Sequence, residues 1–194
     1  EEILMVNIAI SGRKYSGQST AQEVFLKEGW GFASFIQPAK DMLRTLLRYR
    51  GVPHGEIDRM IEGDLKEVAS PALEGRTPRY AMQTLGLEWG RVLMGQDIWF
   101  NSLRDRMKYI DPLGEINWVL ADCRMPNEIA WLHGRGWKTV KIVRPGIESN
   151  DKHGTEASID SLKTDAVLTN DFQNAANFKT HVRQWAVNAK IIGA

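Results

Sequence analysis

The sequence predicts an α/β fold, a three-layer α/β/α sandwich around a parallel sheet, on three observations. The first apolar run, Ile3 to Ile10, is near-continuous rather than alternating, as suits a central strand covered on both faces. Strand-like and helix-like segments then alternate along the chain. Charged residues, Asp122 and Arg124, follow directly on the apolar strand Trp118-Val119-Leu120, at the carboxyl end where open α/β sheets bind ligands. At 194 residues and 43% hydrophobic content the chain is long enough for one domain, residues 1–194, with a real core.

In order, the opening strand ends at Ser11-Gly12, and from Ser19 the residues Ala21, Val24 and Phe25 take helical spacing up to Gly29. A second extended segment covers Gly31 to Ile36. After Pro38 the stripe Met42, Leu43, Leu46 and Leu47 predicts a helix. Residues 51–78 are punctuated by Gly51, Pro53, Gly55, Gly63, Pro71, Gly75 and Pro78, which predicts an insertion of short charged helices that covers the substrate and stays out of the core. Helices follow from Arg79 to Met94 and from Ile98 to Tyr109, then a turn at Asp111–Gly114. Strands at Asn117–Ala121 and Thr139–Val143 flank a helix beginning near Asn127. Ala166–Leu168 is the last strand, and Phe178–Ile192 a closing helix.

Lys and Arg number 25 against 24 Asp and Glu, a balance that does not imply a large basic surface for duplex DNA, leaves a local basic patch open and better suits a small anionic substrate. The single Cys123 can form no disulfide within the chain and favours a reducing compartment, the cytoplasm. No stretch reaches the roughly 18 apolar residues of a membrane span, and the acidic start Glu1-Glu2 is unlike a secretory signal.

The segment Gly12-Arg13-Lys14-Tyr15-Ser16-Gly17-Gln18-Ser19-Thr20 has the glycine spacing and terminal Ser-Thr of a phosphate-binding P-loop, between a strand and a helix. Such a loop turns backbone N–H groups towards phosphate oxygens and adds the positive end of the helix dipole. Ser19 or Thr20 reaches magnesium, and Ser19 is the metal-ligand candidate. An ordinary strand-helix turn can show the same glycine pair. The departure is Gln18, which stands where lysine normally neutralises charge on the phosphoryl group in flight. Three explanations are open: Lys14 or Arg13 supplies the cation, the residue was deliberately changed, or the protein binds nucleotides without efficient turnover.

On the substrate side, Arg79, Gln83 and Gly86 share one helical face and set a cation beside an amide, as a phosphate and a base edge require. Asn127 and Glu128 open the next helix, where capping alone would explain them. Together with Pro38–Asp41, Met82–Gly86, Asp97-Ile98-Trp99, Asp122-Cys123-Arg124, Val143–Gly146 and Leu168–Asp171, these blocks resemble, over nearly the whole chain, the bacteriophage deoxynucleoside monophosphate kinases, the group that includes the T-even phage enzyme.

The resemblance implies an adenylate-kinase-like P-loop kinase that transfers a phosphate from ATP, with Mg2+, to a deoxynucleoside 5′-monophosphate under a helical insertion, in an infected host's cytoplasm. It implies that Lys40, Arg79, Gln83, Trp99, Asp122, Arg124 and Glu128 line the deoxynucleotide pocket, that Arg144 lies near the donor phosphates and that Asn170 lies near the adenine. Gly12, Tyr15, Ser16, Gly17, Ser19 and Thr20 then hold ATP, and Arg13, Lys14, Gln18, Arg124 and Arg144 are the catalytic candidates. Residues 145–155, with Arg144 at their base, are a candidate lid against water. Kinases of this kind are often homodimers, and Trp131 or Trp137 is a candidate interface residue. Three other readings compete: a kinase of hydroxymethylated bases within DNA, a non-catalytic nucleotide-binding relative on account of Gln18, and an unrelated α/β binding module.

Overall fold

Five parallel strands form one sheet in the spatial order β2-β3-β1-β4-β5, with β1 at Ile8–Gly12, β2 at Gly31–Ala33, β3 at Trp118–Cys123, β4 at Lys138–Val143 and β5 at Ala166–Thr169. All five residues of β1 are buried, as its unbroken apolar run requires. The computed structural model describes residues 5–147 and 159–193. They divide into two compact units, one built from Glu1–Ser34 with Met107–Ala194 and the other from Phe35–Arg106. The sheet belongs wholly to the first.

Alternation along β4 sorts the layers. Val140 and Ile142 join Ile8 and Ile10 in a core cluster with Ala21, Val24 and Phe25 of helix α1 (Gln18–Lys27) and Phe178, Val182 and Ala186 of helix α7 (Ala175–Asn188). Burying Phe25 and Phe178, each at most 1% exposed, contributes roughly 1.5–3 kcal/mol apiece. Thr139, on the opposite face, meets the ring of His133 at 2.9 Å at the end of helix α6 (Pro126–His133). Lys141, two residues on, donates to the carbonyls of Asp160 and Leu162. Helices therefore cover both faces, and the three-layer arrangement holds.

The chain leaves β1 towards β2 on one side and β4 towards β5 on the other, so the carboxyl edge between β1 and β4 is the topological switch point. The β1–β3 register slips between Ala9↔Leu120 and Ser11↔Cys123, giving β3 an extra residue beside the start of the phosphate loop. β2 stops at Ala33 rather than Ile36, because the Ser34 hydroxyl turns to Asp122 and Pro38 occupies the first turn of the next helix.

The second unit contains helix α2 (Gln37–Tyr49), helix α3 (His54–Ile61), 3-10 turns at Asp64–Glu67 and Pro71–Leu73, helix α4 (Pro78–Thr84), and most of helix α5 (Ile98–Ile110). Residues 51–78 do not stand apart from a core: Ile57, Met60, Ile61 and Leu73 pack with Leu43, Leu47 and Met82. After α4 the chain continues without a break into a π-helix, Leu85–Met94. Gly90 lies so near Trp99 that an added Cβ would sit 2.7 Å from the indole nitrogen, which itself donates to the Gly86 carbonyl at 2.6 Å. Among the described residues no helix is long and apolar enough to cross a membrane.

Candidate active site

In the first unit the phosphate loop leaves β1 at Gly12 and closes at Gly17, the N-cap of α1, with φ +111. A Cβ at Gly12 would come 2.8 Å from the Ile142 carbonyl and also strike the Ser16 hydroxyl; one at Gly17 would come 2.6 Å from the Asn170 amide and 2.9 Å from the Phe178 ring. Both positions need glycine for space, and Gly17 needs it for conformation as well. The Ser16 side chain is buried, and its hydroxyl is without a hydrogen-bond partner among the described residues. A buried donor of that kind, in a loop whose glycines leave the backbone bare, fits an incoming phosphate oxygen.

Gln18 folds back across the loop, its amide donating to the Gly12 carbonyl. Arg13 is committed elsewhere: its guanidinium forms a two-pronged ion pair with Asp160 and reaches the Ile147 carbonyl at 3.4 Å. The same pairing holds the Asp160 carboxyl below the usual carboxylate range. The Lys14 ammonium lies 4.9 Å from the centre of the Tyr15 ring, and Tyr15 itself is exposed with φ 67. Arg144, just past β4, directs a guanidinium nitrogen to the Tyr15 carbonyl at 3.5 Å. Ser19 and Thr20 occupy the first turn of α1, Ser19 exposed and Thr20 half-buried. Asn170 is buried at 5% exposure, and its amide donates to the Ser16 carbonyl at 2.8 Å, tying the end of β5 to the loop.

At the end of β3, Asp122 accepts from the Ser34 hydroxyl at 2.7 Å. Glu128 is buried and accepts the N–H groups of Arg124 and Met125 at 2.6 and 2.9 Å, so its carboxylate caps α6. Between them the Cys123 thiol is pushed well above its ordinary pKa by burial first, and then by the carboxylates of Glu128 and Asp122. Trp137 is interior, and Trp131 carries the Arg135 guanidinium on its ring at 3.9 Å.

In the second unit, Lys40 on α2 pairs with Glu62 at 3.0 Å, and Arg44 shares that carboxylate at 2.9 Å. Arg79 on α4 pairs with Glu67 of the 3-10 turn. Gln83 is half-buried one turn after Arg79. Trp99 is only 3% exposed, enclosed against Gly90 and beside Trp89. The candidate lid lies mostly outside the described residues. Among the described residues no group of three His, Cys, Asp or Glu side chains is arranged to hold a metal ion. Sequence reasoning passed over Ser34, Glu62, Glu67 and Asp160. Arg13 and Asp160 are 147 positions apart, and no spacing links them.

The family model and the sequence relatives agree on a family. Residues 54–180 match the family model described as deoxynucleotide monophosphate kinase. A putative deoxynucleotide monophosphate kinase of Acanthamoeba polyphaga mimivirus is 31% identical over 186 residues, which cover 86% of this chain and 89% of that protein. The deoxynucleotide monophosphate kinase of Enterobacteria phage T4 is 33% identical over 88 residues, 40% of this chain and 36% of its own length. A crystal structure from Thermus thermophilus superposes over 97% of this chain and 98% of its own with a TM-score of 0.50 at 19% identity, a likeness of fold alone.

Proposed function

The chain belongs to the deoxynucleotide monophosphate kinase family of phosphotransferases, and on that premise we propose that its loop Gly12–Thr20 holds ATP while Lys40, Arg79, Gln83, Asp122 and Arg124 receive the deoxynucleotide. The observation that carries the assignment is the loop interior, where the buried Ser16 hydroxyl has no hydrogen-bond partner among the described residues and lies against Gly12, which has no room for a Cβ. The acceptor phosphate is already a nucleophile, so transfer needs alignment and charge neutralisation rather than a covalent enzyme intermediate. One acceptor oxygen attacks the γ-phosphorus, the bond to the bridging oxygen breaks, and ADP leaves.

Gln18 brings no charge to that step. Lys14 and Arg144 are the cations this reading assigns to the donor phosphates, because Arg13 is held by Asp160 and Arg144 already reaches the loop backbone. Asn170 and Glu128 act as positioning residues, the first on the loop and the second on the start of α6. The burial of Trp99, with its indole on the Gly86 carbonyl, supports a packing role for it over a stacking role on the nucleoside. Magnesium brought in with ATP would neutralise the β- and γ-phosphates, with the exposed Ser19 hydroxyl as protein ligand. The setting is the cytoplasm of an infected cell, where deoxynucleoside monophosphates and ATP are both present. The homodimer of this reading would use Trp131, half-buried beneath Arg135, since Trp137 is interior; light scattering that gives a monomer mass removes that part.

ATP-dependent ADP release across common and modified-pyrimidine deoxynucleoside monophosphates tests the whole reading, with Gln18→Lys in parallel. Turnover in both proteins supports cation supply by Lys14 and Arg144. Turnover only in the lysine variant favours the second reading that Gln18 motivates, a chain that binds nucleotides with little transfer. Silence in both overturns the kinase assignment of these residues.

A further inference from the structure

Both cations assigned to the deoxynucleotide in the second unit are already matched by carboxylates from one short stretch. Glu62 ends α3 and takes Lys40 and Arg44; Glu67 ends the 3-10 turn five residues later and takes Arg79. In each pair the cation is the more enclosed partner: the Lys40 and Arg79 side chains are 17% and 27% exposed, against 46% and 53% for Glu62 and Glu67. An enclosed cation is costly to leave without an anion, whereas a half-exposed carboxylate swings into water at little cost. Arg44 keeps Asp41 at 3.2 Å and Asp58 at 3.9 Å if Glu62 departs. Burial pushes the Glu62 carboxyl up, but Lys40 and Arg44 outweigh it and hold the group below the usual range, so it is present as an anion near neutral pH.

We propose that Glu62 and Glu67 are exchangeable place-holders, carboxylates that occupy Lys40 and Arg79 until the phosphate of the deoxynucleotide displaces them. The proposal rests on the reading that Lys40 and Arg79 receive the deoxynucleotide. Its consequence is a built-in threshold for substrate: a dianionic phosphate can replace the two carboxylates, and an uncharged nucleoside cannot. The stretch between residues 62 and 67 is released from both cations when substrate binds.

The test is calorimetric binding of the four common deoxynucleoside monophosphates, the matching deoxynucleosides, and ATP to the full chain and its variants. Glu62→Gln and Glu67→Gln, which keep shape and remove charge, are each expected to tighten monophosphate binding about 2- to 5-fold, the change that an exposed ion pair represents, with deoxynucleoside and ATP affinities unchanged. Glu62→Asp, which keeps the charge on a shorter arm, serves if the amide variant fails to fold and is expected to tighten binding in the same sense. Unchanged or weakened monophosphate binding in the glutamate variants, with Lys40→Ala and Arg79→Ala both weakening it, overturns the place-holder role alone. If Lys40→Ala and Arg79→Ala leave monophosphate binding unaltered, the assignment of those cations falls, and the place-holders fall with it.

Discussion

Gln18 is where one side chain bears most directly on rate. A transition-state charge contact is worth on the order of 10²-fold, so Gln18→Lys is expected to raise turnover by about that factor in an ADP-release assay, without changing the affinity for deoxynucleotide. Lys14→Ala should lower turnover by more than Arg13→Ala, since the Arg13 guanidinium is bound to Asp160. A second residue acts through geometry alone. Asn170→Ala strips the buried Ser16 carbonyl of its donor, at an expected cost of about 1–3 kcal/mol, read as a lower urea midpoint together with a raised KM for ATP. The glycines, the terminal Ser-Thr and the missing lysine of the loop could all be read from the chain. The fate of Arg13 could not, because its partner is brought near by the crossing from β4 towards β5 and not by any sequence interval.

At the scale of elements, the strands and helices follow their apolar patterning closely, while the winding of one helix does not. Pro78, Met82, Gly86, Gly90 and Arg91 are the buried residues of the stretch from α4 into the π-helix, and the first four fall at the four-residue spacing of an α-helix. A π-turn adds one residue per turn, a difference that ten mostly apolar positions do not reveal. The indole of Trp99 on the Gly86 carbonyl and the bare Cα of Gly90 belong together. Gly90→Ala forces a Cβ against the ring and is expected to cost about 1–3 kcal/mol, visible in denaturant unfolding. Wild-type stability in that variant would show that the helix rewinds freely. A tryptophan beside a glycine-rich helix looks the same in sequence whether it stacks on a base or seals a helix, which is why its burial was not legible.

For the whole molecule, carboxylates held by donors and cations set the response to acid; among the described residues Asp64, paired with Arg59, and Asp111, accepting from backbone N–H groups, also lie below the ordinary range. Glu62, Asp160 and Asp165 are held below their ordinary pKa values; at Asp165 burial acts upward but is outweighed by the backbone and hydroxyl donors of Thr139. Their ionised forms are therefore favoured in the folded chain. The stability they add is complete above the unfolded carboxylate range near pH 4 and is lost as pH falls through the depressed folded values. Thermal melts should give a flat Tm from pH 7 to about 5 and a decline below about 4, and Asp165→Asn should flatten that decline. The sheet unit was legible because its inner strands β1 and β3 open on near-continuous apolar runs. In the second unit the helices after Pro38, from Arg79 and from Ile98 were legible, but the core of residues 51–78 was not, because its glycines and prolines mask Ile57, Met60 and Ile61, whose helical spacing spans one short helix. The single thiol, enclosed at the end of β3 and disinclined to ionise, leaves the native chain silent to maleimide reagents. Cysteines introduced at Tyr49 and Tyr109, 91% and 87% exposed and one in each unit, would thus be the only groups to take a donor and an acceptor dye. Each dye then reports on its own surroundings, with no other thiol adding to its signal.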